Sequence, residues 1–176
     1  MARALLLLLV LPCGCGPADA TAADAALTEQ VATARTPSGE RVLYREQHLL
    51  RQRGELPQER IVMYRCASSD AAFARKRVDY AASATAADFA LEDARSGYAE
   101  GLRRTRAGEE LYFRDRVGAT EQRAMLTARA QVADAGFDEF VRAHWQALVA
   151  GESLPLNFTV PSRLRSMEFR VRAAGT

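Results

Sequence analysis

From residue 40 onward the chain repeatedly places an apolar side chain at every second position, and this rhythm constrains the fold more than any other feature. Val42, Tyr44, Glu46, His48 and Leu50 share one side of an extended segment, while Leu43, Arg45, Gln47 and Leu49 share the other. A period of two marks a half-buried strand. Arg60–Cys66 is rich in β-branched and aromatic residues and predicts a second strand, and 73–80 predicts a third. The Gly54–Pro57 stretch and Ser68-Ser69-Asp70 supply turns between them. Residues 81–87 read as a low-complexity loop, and 89–92, 97–103, 110–114 and 123–128 are further strand candidates. Short strands with polar breaks point to an antiparallel meander.

One segment departs from that rhythm. Over residues 135–150, Phe137, Phe140, Val141, Trp145 and Leu148 recur at helical spacing. Asp138 and Glu139 occupy the first turn, where the helix dipole favours negative charge. Gly151 sits where a glycine stop is expected. Strands then resume: Leu154, Leu156, Phe158 and Val160 alternate, as do Met167, Phe169 and Val171. The short link between them, at 161–165, favours an antiparallel pair, since parallel strands need a longer crossover. The expected fold is therefore mostly β (α+β): a curved antiparallel sheet or half-barrel packed against one amphipathic helix at about 135–150. Its last strand would form an exposed edge, blunted by Arg170 and Arg172.

The N-terminus carries a different signal. Arg3, the apolar run from Ala4 to Leu11, and Ala18-Asp19-Ala20 form the basic, apolar and small-x-small pattern of a cleavable leader over residues 1–20. The run is far shorter than the ~20 residues that span a bilayer, so no transmembrane span is expected in the mature chain. Cys13 and Cys15 each satisfy half of a lipid-attachment pattern. Lipidation at Cys15 is thus the alternative, and it would anchor the protein to a membrane. After cleavage Cys66 stands alone, which excludes an intramolecular disulfide, and its place in a strand predicts a small core side chain. Residues 21–39, rich in Ala and Thr and ending in Pro37-Ser38-Gly39, read as a flexible lead-in with a transient helix near Leu27–Val31. Residues 40–176 then make one β-rich domain.

The net charge is +2, too small and too dispersed to indicate a nucleic-acid partner. Of 24 basic residues only Lys76 is lysine, which fits the coding bias that also enriches alanine. Arginines group at 75–77, at 103–106 and at Arg163, Arg165, Arg170 and Arg172. The last group is the least diluted by acidic residues and is the candidate for contact with lipid headgroups.

Catalytic motifs are sparse. His48 and Glu46 share a strand face at a spacing that could begin a metal site, but a polar pair on a solvated face explains them as well. His144 could act as a base, yet neither histidine has a nucleophile in a recognisable frame. There is no Gly-x-Ser-x-Gly, no phosphate loop and no His-Glu-x-x-His. A hydrolase is accordingly the least favoured reading, and no cofactor is expected.

The segments at 42–48, 73–80, 137–145 and 158–164 resemble a family of uncharacterised exported bacterial proteins, over roughly residues 40–172. That family is distantly similar to half-barrel envelope proteins typified by lipoprotein carriers, in which a curved sheet wraps a helix. The resemblance implies a periplasmic or secreted protein that holds an apolar small molecule or lipid, and a longer chain than this one. Phe137, Phe140, Trp145, Leu156, Phe158, Val160 and Phe169 are the candidate ligand residues, between helix and sheet. The alternative is a structural or interaction protein of the envelope that pairs its open sheet edge with another chain.

Overall fold

The computed structural model describes residues 25–129, 131–134 and 136–174. The expected leader and both lipidation candidates, Cys13 and Cys15, lie outside them. The first eight strands are β1 (Ala25–Arg35), β2 (Val42–Arg53), β3 (Leu56–Cys66), β4 (Ala72–Asp79), β5 (Asp88–Asp93), β6 (Tyr98–Thr105), β7 (Gly108–Arg114) and β8 (Gln122–Met125). They form one antiparallel sheet in sequential order, not closed into a barrel. The expected meander is thus present. Each hairpin places a turn where the alternation breaks; between β2 and β3, Gly54 adopts a φ of 59° that a side chain would resist.

Strand register lines up one row across the whole sheet: Thr28, Leu50, Arg60, Val78, Phe89, Leu102, Leu111 and Ala124. This row lies on the inner face, and Leu50, Val78, Phe89, Leu102 and Leu111 carry the main core together with Tyr80, Ala86, Ala87 and Ala133. The next row on the same face is more polar: Gln30, His48, Val62, Lys76, Leu91, Glu100, Phe113 and Gln122. The opposite face is charged. There Glu59 accepts from Arg51 at 3.2 Å and from Arg77 at 2.8 Å, and Arg103 pairs with Glu110. Such solvent-exposed pairs contribute at most about 1 kcal/mol each.

The remaining elements are β9 (Val132–Ala133), α1 (Gly136–Ala143), α2 (Trp145–Val149), β10 (Leu154–Val160), a 3-10 turn at Pro161–Arg163 and β11 (Arg165–Val171). β10 and β11 form the expected antiparallel hairpin, with β9 parallel to β10 on the other side. They make a second, three-stranded sheet rather than extending the first. The hairpin tip packs on β6 and β7, and Leu164 joins the main core. A second core gathers Val132, Phe140 and Leu156, flanked by Phe137, Leu154, Phe158 and Val171.

Four expectations need correction. The 21–39 stretch, expected as a flexible lead-in with a transient helix, supplies β1, because β2 offers it an edge and backbone pairing overrides its weak apolar pattern. The 135–150 helix is two helices. At His144 the backbone turns to φ −112° and ψ 16°, and its N–H is shared between the carbonyls of Phe140 (3.1 Å) and Val141 (3.3 Å). That break swings Trp145 outward, 56% exposed, while Phe140 and Leu148 stay buried. Cys66 is half-buried at the end of β3 rather than part of either core. Finally, β8 ends at Met125, so 126–128 is not strand. The glycine stop is as expected: Gly151 has φ 85°, its N–H reaches the Leu148 carbonyl and the Glu152 N–H reaches that of Ala147, both at 3.0 Å.

Candidate functional site

Most of the residues expected to line a ligand pocket are in contact with one another. Phe137 and Phe158 pack edge to face at 6.4 Å, Phe158 meets Phe169 in the same way at 6.4 Å, and Phe140 and Leu156 are buried beside them. Val160 is half-buried at the end of β10. Phe169 is 46% exposed, and Trp145 lies away from this cluster on the outside of α2. The apolar stripe is therefore largely satisfied by its own sheet.

The space between α1 and the main sheet is spanned by ion pairs. Arg60 projects from the apolar row of the inner face and donates through Nη1 to Asp138 Oδ2 at 2.7 Å, with Glu139 Oε1 at 3.9 Å from Nη2. One position further along the face, Lys76 Nζ donates to Asp134 Oδ1 at 2.8 Å. Burial works against the Lys76 charge, but Asp134 and the Tyr64 ring, 5.7 Å away, outweigh it and raise its pKa. Asp134 sits at a left-handed position, φ 41°. The Ala133 N–H donates to the Thr85 carbonyl at 2.9 Å, which clamps the chain before α1 onto the loop between β4 and β5. Asp138 and Glu139, expected to serve the helix dipole, thus also face a buried guanidinium.

Beyond Lys76 the inner face turns aromatic. Tyr44, Tyr64 and Phe73 make a three-ring cluster with centroids 5.9–6.3 Å apart, and Tyr98 packs on Phe113 at 5.5 Å. All five rings are half-buried and stand outside both apolar cores. Polar groups converge on them. Tyr98 donates to Glu100 at 2.7 Å, His48 Nε2 contacts Glu46 at 2.8 Å, and the Arg95 guanidinium lies 3.5 Å over the Phe73 ring. Burial pushes the Glu100 carboxyl above its usual range, against the pull of the Tyr98 hydrogen bond, and burial likewise raises the Tyr64 and Tyr98 phenols. Asp93 moves the other way, lowered by its hydrogen bonds from Arg95.

The chemistry available here is recognition by stacking and hydrogen bonding. His48 and Glu46 share a face, as their spacing predicted. Among the described residues, no three His, Cys, Asp or Glu side chains are grouped to hold a metal ion. His144 stacks on Phe140 at 4.3 Å and donates through Nδ1 to the Phe140 carbonyl at 2.8 Å, so its ring is engaged with its own helix. Arg170 is held by Ser153, through Oγ at 3.0 Å and the carbonyl at 2.5 Å, while Arg163, Arg165 and Arg172 are exposed. No helix among the described residues is long and apolar enough to cross a membrane. Sequence reasoning missed the aromatic end of this face. The signal was present in the period-two placement of Tyr44, Tyr64 and Tyr98, but only strand register shows that they converge. No family model, curated protein or solved structure matches the chain.

Proposed function

We propose that the chain is a non-enzymatic exported envelope protein that holds an apolar or lipid ligand against the inner face of its open sheet. The observation that carries this reading is the cluster of Tyr44, Tyr64 and Phe73, half-buried and outside both cores. A binding surface needs apolar and aromatic lining with a few placed polar groups. Here Lys76, Glu100 and the Glu46–His48 pair stand beside the rings, which suits an amphiphile with a polar head. The helix stripe is the weaker candidate, because Phe137, Phe140, Leu156 and Phe158 already fill one another's contacts.

The test is native mass spectrometry of protein purified from its own compartment, followed by titration with a fluorescent fatty acid. Co-purifying lipid is expected, with binding lost in Tyr64→Arg and retained in Phe169→Ala. A protein that carries no lipid and binds no fatty acid overturns the proposal, as does binding that is indifferent to Tyr64→Arg.

A further inference from the structure

Among the described residues, β1 has an unpaired edge along its length, and its charge pattern is self-complementary; we infer that two copies of the chain pair through this edge, antiparallel about Ala32. Among the described residues nothing pairs with the far side of β1. Its side chains are mostly exposed, Leu27 at 70% and Val31 at 68%. Free edges are normally blunted by charged side chains, lysine above all, by proline or by a bulge, since a bare row of N–H and C=O groups invites another strand, and charges of one sign repel a second copy where paired opposite charges do not. β1 holds neither lysine nor proline, and its one irregularity falls at the far end, between Ala34 and Arg35. The extra residue at that irregularity, Leu43, belongs to β2, so β1 itself runs as a regular template from Ala25 to Arg35.

A second copy is the occupant because of the charges. β1 carries two charged residues, Glu29 and Arg35, of opposite sign and on the same face, with Ala32 midway between them. A two-fold axis through Ala32 sets Glu29 of each copy opposite Arg35 of the partner subunit, forming the same ion pair twice. It also sets Val31 against Thr33 of the partner subunit, a favourable β-branched pair. Centring on Gln30 instead brings the two Glu29 side chains onto a repulsive diagonal, so the charges select the register as well as the partner. Among the described residues, the two charged side chains of β1 are only lightly engaged. Glu29 accepts one exposed hydrogen bond from Gln47 at 2.8 Å, and Arg35 donates one to the Gly39 carbonyl at 3.1 Å. Contact through strands alone falls below the ~1,000 Å² of a stable interface, so the dimer is concentration-dependent. It joins two eight-stranded sheets into one.

Sedimentation equilibrium of the full chain across a range of concentrations, with hydrogen exchange of the β1 amides, tests this. The expected result is a monomer–dimer equilibrium in which β1 protection rises with concentration. Glu29→Arg and Arg35→Glu should each weaken association by about tenfold or more, and the double swap E29R/R35E should restore it. Unchanged thermal melting of each variant shows that the fold is intact. A monomer at every concentration overturns the inference, as does a dimer indifferent to the single swaps or not rescued by the double. Lipid binding on the inner face is read separately, so failure here leaves the proposed ligand untouched.

Discussion

Arg60 on β3 and Asp138 at the start of α1 meet at 2.7 Å although 78 residues separate them, and the guanidinium stands in the apolar row of the sheet between Leu50 and Val78. Arg60 is 7% exposed, whereas Asp138 is mostly open to solvent. The pair ties the second layer to the first, and the two ends of the bond differ in what their loss would cost.

Removing the buried end should be expensive. Arg60→Ala takes away the docking point and leaves a void in the apolar row, and is expected to destabilise by about 3–5 kcal/mol in urea unfolding. Asp138→Asn keeps an oxygen to accept from the guanidinium and leaves Glu139 3.9 Å away as its remaining anion, so it should cost less, about 1–2 kcal/mol. The double variant Arg60→Met with Asp138→Ala should recover part of the loss, because an apolar replacement removes the desolvation penalty of the guanidinium while Glu139 keeps Arg142 at 3.8 Å. Equal losses for Arg60→Ala and Asp138→Asn would contradict this account.

Glu100 sets a pH dependence whose sign follows from its environment. Burial raises its pKa in the folded state. The stability it contributes is therefore complete below the ordinary glutamate value and lost as pH rises through the folded one. Glu100→Gln keeps an oxygen to accept from Tyr98 and removes the charge. Melting temperatures should show the wild type losing ground to the variant as pH is raised from the acid side to neutrality. Asp93 runs in the opposite sense, its lowered pKa giving stability that disappears as pH falls. A gap between wild type and Glu100→Gln that stays constant over that range would refute the assignment.

Phe140 and Trp145 share one helical stripe in the sequence and part company in the structure. Phe140 is buried against Val132 and Leu156, and Trp145 faces solvent. Phe140→Ala should cost about 3 kcal/mol or more, and Trp145→Ala about 0.5 kcal/mol or less. Tryptophan fluorescence offers a second measure: as the single tryptophan, Trp145 should emit as a solvated indole in the native protein. A blue-shifted native spectrum would argue for a covered ring.

Much of the fold was legible because it is local. The alternation at Val42–Leu50, the β-branched run ending at Cys66, the glycine stop at Gly151 and the Leu154–Val171 hairpin each depend on neighbours a few residues away. The site was less legible. His48 and Glu46 could be set on one face from spacing alone, but Tyr44, Tyr64 and Phe73 come together only through the pairing of β2, β3 and β4. β1 lacked a periodic apolar signal, and its strand conformation is owed to the edge of β2.

By itself the sequence determined the periods: two along the strands, near 3.6 in the helix, with breaks where glycine and polar turns fall. These follow from the geometry of a single backbone. Only the tertiary structure decided that the last strands build a separate sheet, that His144 interrupts the helix and turns Trp145 outward, and that Lys76 and Arg60 seek Asp134 and Asp138. Those outcomes depend on which segments meet at separations of 58 or 78 positions along the chain, where the desolvation of a buried cation fixes a partner that no local pattern announces.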